Sequence, residues 1–122
     1  MHELSIAVSI VEVANEEALK RNATRVTELH LKVGPLSGVV KDALLFSYDI
    51  AASGTLLEGS RLVIEDVPVV IHCAKCDEER TLDSIQLFAC PVCGELTPEV
   101  LHGRELEVVA IELEENFEEV VV

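Results

Sequence analysis

The spacing of apolar residues changes from stretch to stretch along this chain, and each change marks an element. Residues 4–21 predict a helix, because Leu4, Ala7, Val8, Val11, Ala14 and Ala18 recur at i, i+3, i+4 intervals as one stripe. Ser5, Ser9, Glu12, Glu16 and Lys20 fall on the opposite face, and Glu16 and Lys20 are spaced as an i, i+4 pair. From Val26 to Val33 the period becomes two: Leu29, Leu31 and Val33 alternate with Glu28, His30 and Lys32. Gly34-Pro35 stops that strand. A second helix is expected over about Val39 to Ala52, with Val40, Ala43, Leu44, Ser47 and Ile50 as its stripe. Ser37 stands where a start cap belongs, and Gly54 where an end cap belongs. Arg61 to Ile71 is rich in Val and Ile and reads as a strand, in which Pro68 marks an edge or a bulge. A last strand is expected from Leu106 to Leu113, and its alternation slips at Val108-Val109. The tail from Glu114 to Val122 is acidic and then apolar, and is expected to fray.

Residues between about 72 and 100 lack helical periodicity and carry every cysteine of the chain. The pattern predicts an α+β fold: a small three-stranded sheet with two helices, interrupted by a cysteine-bearing insert. The expected boundaries are 1–71 and 102–122 for one discontinuous domain, and 72–101 for the insert.

The cysteines form two pairs, Cys73-Ala-Lys-Cys76 and Cys90-Pro-Val-Cys93. Each C-x-x-C sets two thiolates on one tight turn, close to the knuckle spacing of a four-cysteine zinc site. Gly94 follows the second pair and permits the positive φ that closes such a turn. A structural zinc ribbon, a rubredoxin-like iron site for electron transfer, and a redox dithiol all begin with this pattern.

Composition narrows the choice. The chain has 122 residues, 49% of them apolar but only 3% aromatic, so its core is aliphatic and modest. A metal staple would add stability. A rubredoxin-like iron centre is usually shielded by aromatic packing that one Tyr and three Phe do not supply. The formal charge is −14. That repels phosphate backbones and argues against nucleic acid, including for a zinc-ribbon interaction module. It suits a cation carrier or a basic protein partner. No stretch reaches the ~20 apolar residues of a membrane span, and Met-His-Glu-Leu-Ser lacks the basic start of an export signal. Paired cysteines without such a signal point to a reducing cytoplasm.

The start of the chain offers a second metal site. His2 is too bulky for efficient removal of Met1, so the α-amine is expected to remain on Met1. That amine, the amide nitrogens of His2 and Glu3, and the His2 imidazole can converge on one ion. Four nitrogens in a plane suit d⁸ Ni²⁺ or d⁹ Cu²⁺ rather than tetrahedral Zn²⁺. No P-loop, G-x-G-x-x-G or nucleophile–base motif is present, Glu12 and Glu16 lie on a solvated helix face, and no enzyme is expected. His30 reads as a polar strand residue.

These features together resemble the HypA/HybF family of hydrogenase maturation proteins. The resemblance rests on Met1-His2-Glu3-Leu4-Ser5, on Val33-Gly34-Pro35-Leu36-Ser37-Gly38-Val39, on the cysteine pairs, and on Gly103-Arg104-Glu105-Leu106-Glu107-Val108. It implies a nickel metallochaperone that binds Ni²⁺ through His2 and the main-chain nitrogens of Met1, His2 and Glu3. It also implies structural zinc on Cys73, Cys76, Cys90 and Cys93, in an inserted zinc-ribbon subdomain. The partners implied are a HypB-type GTPase, the NiFe hydrogenase large-subunit precursor and, in some cases, urease accessory proteins. The protein itself would be a monomer or homodimer. Many relatives carry an acidic residue at the start of the second helix, where this chain has Val39-Val40-Lys41-Asp42. His72 and His102 flank the insert and are candidate auxiliary ligands.

Overall fold

The structure, a computed structural model, describes residues 2–83, 87–97 and 99–115. Helix α1 runs Glu3–Lys20 and helix α2 Lys41–Ala52, with strands β1 Ala23–Val33, β2 Arg61–Asp66, β3 Val69–Cys73, β4 Glu78–Leu82, β5 Val100–His102 and β6 Leu106–Glu115. One three-stranded sheet has the order β2-β1-β6 and the other β4-β3-β5. The expected α+β class holds. The single strand expected from Arg61 to Ile71 is two strands, β2 and β3, which belong to different sheets. Pro68 lies in the break, where its missing N–H costs no ladder hydrogen bond. The part of the tail beyond Glu115 lies outside the described residues.

The chain divides into two compact units: 1–31, 40–64 and 108–122 form the first, and 32–39 with 65–107 the second.

In the first unit α1 packs on α2. Its buried line is Ala7, Ile10, Val11, Ala14 and Ala18. Alanine at three of these positions favours the helix and lets the partner approach closely. Leu4 and Val8 of the expected stripe stay exposed, and Ile10 takes the inward position instead. The apolar arc of α1 is wider than the surface that meets it. The i, i+4 ion pair observed is Glu17 with Arg21 at 2.8 Å. Asn22 then turns the chain at φ 57, a left-handed value that Asn tolerates. On β1, Val26, Leu29 and Leu31 are fully buried. Each such side chain contributes about 1.5–3 kcal/mol relative to leaving it in water. α2 buries Leu44, Ser47, Tyr48 and Ala52, whereas Val40 and Ile50 of its expected stripe face solvent. Tyr48, the one tyrosine, sits in this otherwise aliphatic core with its hydroxyl 2.6 Å from Ser60 Oγ. Burial raises its pKa, because the phenolate would lose its hydration there.

In the second unit two sequence stretches far apart meet through their backbones. Gly34 N–H donates to Glu105 O and Leu36 N–H to Gly103 O, both at 2.8 Å. A Cβ on Gly34 would stand 2.1 Å from Gly103 O, so only glycine lets these chains pass. The Gly-Pro-Leu-Ser and Gly-Arg-Glu-Leu stretches are thus two sides of one backbone contact. Ser37 Oγ accepts from Val39 N–H at 3.3 Å, a local turn rather than a cap on α2. Val69, Ile71 and Cys73 of β3 point inward. β3 pairs antiparallel with β4, Ile71 opposite Arg80 and Cys73 opposite Glu78. No helix among the described residues is long and apolar enough to cross a membrane.

Candidate metal centres

Both cysteine pairs sit on turns that the local sequence closes in the same way. Cys73 ends β3, and the chain reverses through Ala74 and Lys75 before β4 begins at Glu78. Cys76 N–H donates to Cys73 Sγ at 3.4 Å. In the second turn Gly94 N–H donates to Cys90 O at 2.8 Å, and Cys90 N–H to Glu95 O at 2.9 Å. The residue after each pair adopts a left-handed φ, 53 for Asp77 and 78 for Gly94. Glycine does this without strain, and Asp is among the few other residues that tolerate it.

The two turns bring all four sulfurs together, every pair within 4.8 Å. Cys73 Sγ lies 3.6 Å from Cys93 Sγ, and Cys76 Sγ 3.9 Å from Cys90 Sγ. Bonds of about 2.3 Å to a tetrahedral Zn²⁺ set sulfurs about 3.8 Å apart, so the spacing suits zinc. A disulfide needs about 2.05 Å, and all four cysteines are free thiols. Cys73 and Cys90 are buried, and Cys76 and Cys93 are half-buried.

The thiols are electrostatically unequal. The main-chain N–H of Cys93, then that of Val92, and the Arg80 guanidinium pull Cys90 down to about 6. Cys76 is pushed up to about 12, chiefly by its contact with Cys93. Adjacent thiols share protons because they cannot all ionise without a cation between them. Arg80 is the residue here that the sequence did not reveal. It lies on β4, its guanidinium faces the Cys90 and Cys76 sulfurs, and it pairs with Glu78. Its Nε is the one buried side-chain nitrogen or oxygen without a partner among the described residues. One cation beside four thiolates offsets part of the net charge of about −2 that they retain around Zn²⁺. A lone Arg after Asp77-Glu78-Glu79 was the only trace of this role in the sequence.

His72 and His102 do not join the sulfur cluster. The His72 ring lies 3.3 Å from Asp77 and 3.3 Å from Glu99 through its two nitrogens. His102 Nδ1 lies 3.0 Å from Glu105.

At the other candidate site, Met1 lies outside the described residues. His2 is the N-cap of α1, with extended backbone, an exposed side chain and no capping bond from it. Its carbonyl accepts from Ile6 N–H at 3.2 Å. Glu3 opens the helix, and its carboxylate accepts from Val40 N–H at 3.2 Å, at the N-cap of α2. That bond holds the Glu3 carboxyl below its ordinary range. No spacing rule links Glu3 to Val40, so the contact is not legible in the sequence. It ties the first turn of the chain to a second helix. Lys41 and Asp42, which follow Val40, are exposed.

A family profile described as hydrogenase/urease nickel incorporation, metallochaperone, HypA matches residues 1–113. Among curated relatives, the hydrogenase maturation factor HypA of Roseiflexus sp. (strain RS-1) is 50% identical over 119 residues, covering 98% of this chain and 97% of the relative. That of Chloroflexus aurantiacus is 51% identical over 112 residues, 92% of this chain and 98% of the relative. The solution structure of the Ni metallochaperone HypA from Helicobacter pylori matches in fold with TM-score 0.66 at 20% identity, covering 95% of this chain and all of that one. A second HypA solution structure gives 0.71, also at 20% identity, over 95% and 98% of the two chains.

Proposed function

The chain belongs to the HypA family of nickel-incorporation metallochaperones, and on that premise we infer that it carries Ni²⁺ at its own amino terminus. The His2 imidazole, the Met1 α-amine and the main-chain nitrogens of His2 and Glu3 supply four nitrogen donors. Deprotonated amides are strong-field ligands, and a planar set of four suits a d⁸ ion. Binding releases protons, so affinity falls with pH. The observation that carries the reading is the position of His2. It is exposed, uncommitted to any capping bond, and immediately ahead of a helix turn that Glu3 anchors to α2. A site with one side-chain donor releases its ion when that imidazole leaves, which suits delivery rather than storage.

Cys73, Cys76, Cys90 and Cys93 hold structural zinc in this reading. Four thiolates close the coordination shell and leave no position for a substrate. The recipient is the NiFe hydrogenase large-subunit precursor, reached with a HypB-type GTPase, and urease accessory proteins are further candidates. The setting is the cytoplasm, and the acidic surface favours cationic cargo or a basic partner face.

The test is a Ni²⁺ titration of zinc-loaded protein with a native N-terminus, followed by d–d absorption. One equivalent with a planar, diamagnetic signature is expected. It should vanish in His2→Ala and weaken when a tag precedes Met1. Undiminished binding in both would refute the amino-terminal ligand set.

A further inference from the structure

On the polar side of the first sheet, three potential metal donors converge at a place the nickel and zinc readings do not use. Glu28 and His30 are two residues apart on β1, so their side chains leave the same face. β6 is the neighbouring strand and brings Glu112 alongside. Both carboxylates face the same ring nitrogen: His30 Nε2 lies 3.2 Å from Glu28 Oε1 and 3.8 Å from Glu112 Oε1. The three donor atoms lie within 4.8 Å of one another.

The frame around them is fixed. Thr27 Oγ1 donates to Glu112 O at 3.2 Å across the two strands. Arg61 on β2 reaches the other oxygen of Glu28 at 4.0 Å. The imidazole and the Glu28 carboxylate are each about 30% exposed, whereas Glu112 is 61% exposed. Two donors stand half-buried on one strand, and the third comes from a more exposed side chain on its neighbour.

We propose that Glu28, His30 and Glu112 form an exchangeable site for a divalent first-row transition cation on the polar face of β1 and β6. Three donors bonded at about 2.1 Å stand about 3.0–3.5 Å apart, a small contraction from the spacing observed. One imidazole with two carboxylates selects Mn²⁺, Co²⁺, Ni²⁺ or Zn²⁺ over Ca²⁺, which prefers an all-oxygen shell. Three protein donors leave coordination positions open to water, so the ion exchanges. The nearby Arg61 charge weakens the site further. The competing account is that the three side chains form a plain surface cluster with no affinity for an ion.

Mn²⁺ separates these cases, because it has little affinity for thiolates or deprotonated amides. The experiment titrates Mn²⁺ into zinc-loaded, full-length His2→Ala protein and follows paramagnetic broadening of amide NMR signals. The expected result is early loss of signals at Glu28–His30 and Ile111–Leu113. The apparent Kd should rise at least about tenfold in His30→Gln and in Glu112→Gln. Glu112 is exposed, so its variant reports even if His30→Gln disturbs the strand. Broadening spread evenly over the acidic residues, or centred on this cluster but unchanged by both variants, would overturn the proposal. Because the His2→Ala background already lacks the amino-terminal donor, failure here leaves the nickel reading untouched.

Discussion

The four-cysteine centre and the amino-terminal segment differ in how much protein surrounds each donor. Cys73 and Cys90 are buried, their turns are closed by main-chain hydrogen bonds, and Arg80 sits against the sulfurs. His2 is exposed and makes no capping bond, and the Glu3–Val40 hydrogen bond is the long-range tie beside it. On the proposed roles, a buried and closed donor set with a cation beside it would hold its ion as part of the fold, and a set with one exposed imidazole would give its ion away. Contacts around the ligands, as well as ligand type, would then separate retention from release.

The largest expected effect tests the buried side. Cys90→Ser removes one of four thiolates and should cost much of the roughly 10–16 kcal/mol that a structural zinc contributes. NMR signals of Val69–Cys73 and Val100–His102 should collapse to unfolded positions, while those of α1 and α2 remain dispersed. An intact second sheet without bound zinc would mean that its hydrogen bonds suffice, and the contrast between the sites would fail.

Arg80→Leu is the next test. Losing a cation beside the thiolates should speed zinc transfer to a chromophoric chelator by about 10–100-fold, as for other residues that contact metal ligands. Unchanged transfer would show that Arg80 only packs against the turn.

The smallest effect concerns the exposed side. The Val40 N–H holds the Glu3 carboxyl below its ordinary range in the folded protein. The stabilisation is thus fully present above the ordinary carboxylate range and is lost as pH falls through the lowered value. The Val40 amide shift should titrate with a midpoint below that of an unpaired glutamate such as one in a short peptide, and Glu3→Gln should abolish that titration. A midpoint equal to or above the peptide's would sever the tie between the first turn and α2.

Local order explains which features could be read in advance. Helices α1 and α2 and strand β1 follow apolar periods within a few residues, and each C-x-x-C closes over a single turn. The four-cysteine cluster was legible because the spacing within each pair is itself local. The division of Arg61–Ile71 into two strands was not, since Pro68 signalled a break without saying which sheet each half would join. The stripes on α1 and α2 differ in part from the buried lines: Leu4, Val8, Val40 and Ile50 have the right period but stay exposed.

The sequence by itself determined helices α1 and α2, strand β1, the two cysteine knuckles and the nitrogen-rich start at Met1-His2-Glu3, because each depends on neighbours along the chain. Only the tertiary structure decided that Arg80 faces the thiolates, that Glu3 reaches Val40 across 37 residues, and that Gly34 slides against Gly103. It also set His30 between Glu28 and Glu112. The reason is physical. Periodicity fixes which way a side chain points, but what it meets there depends on strands and helices that are distant in the chain.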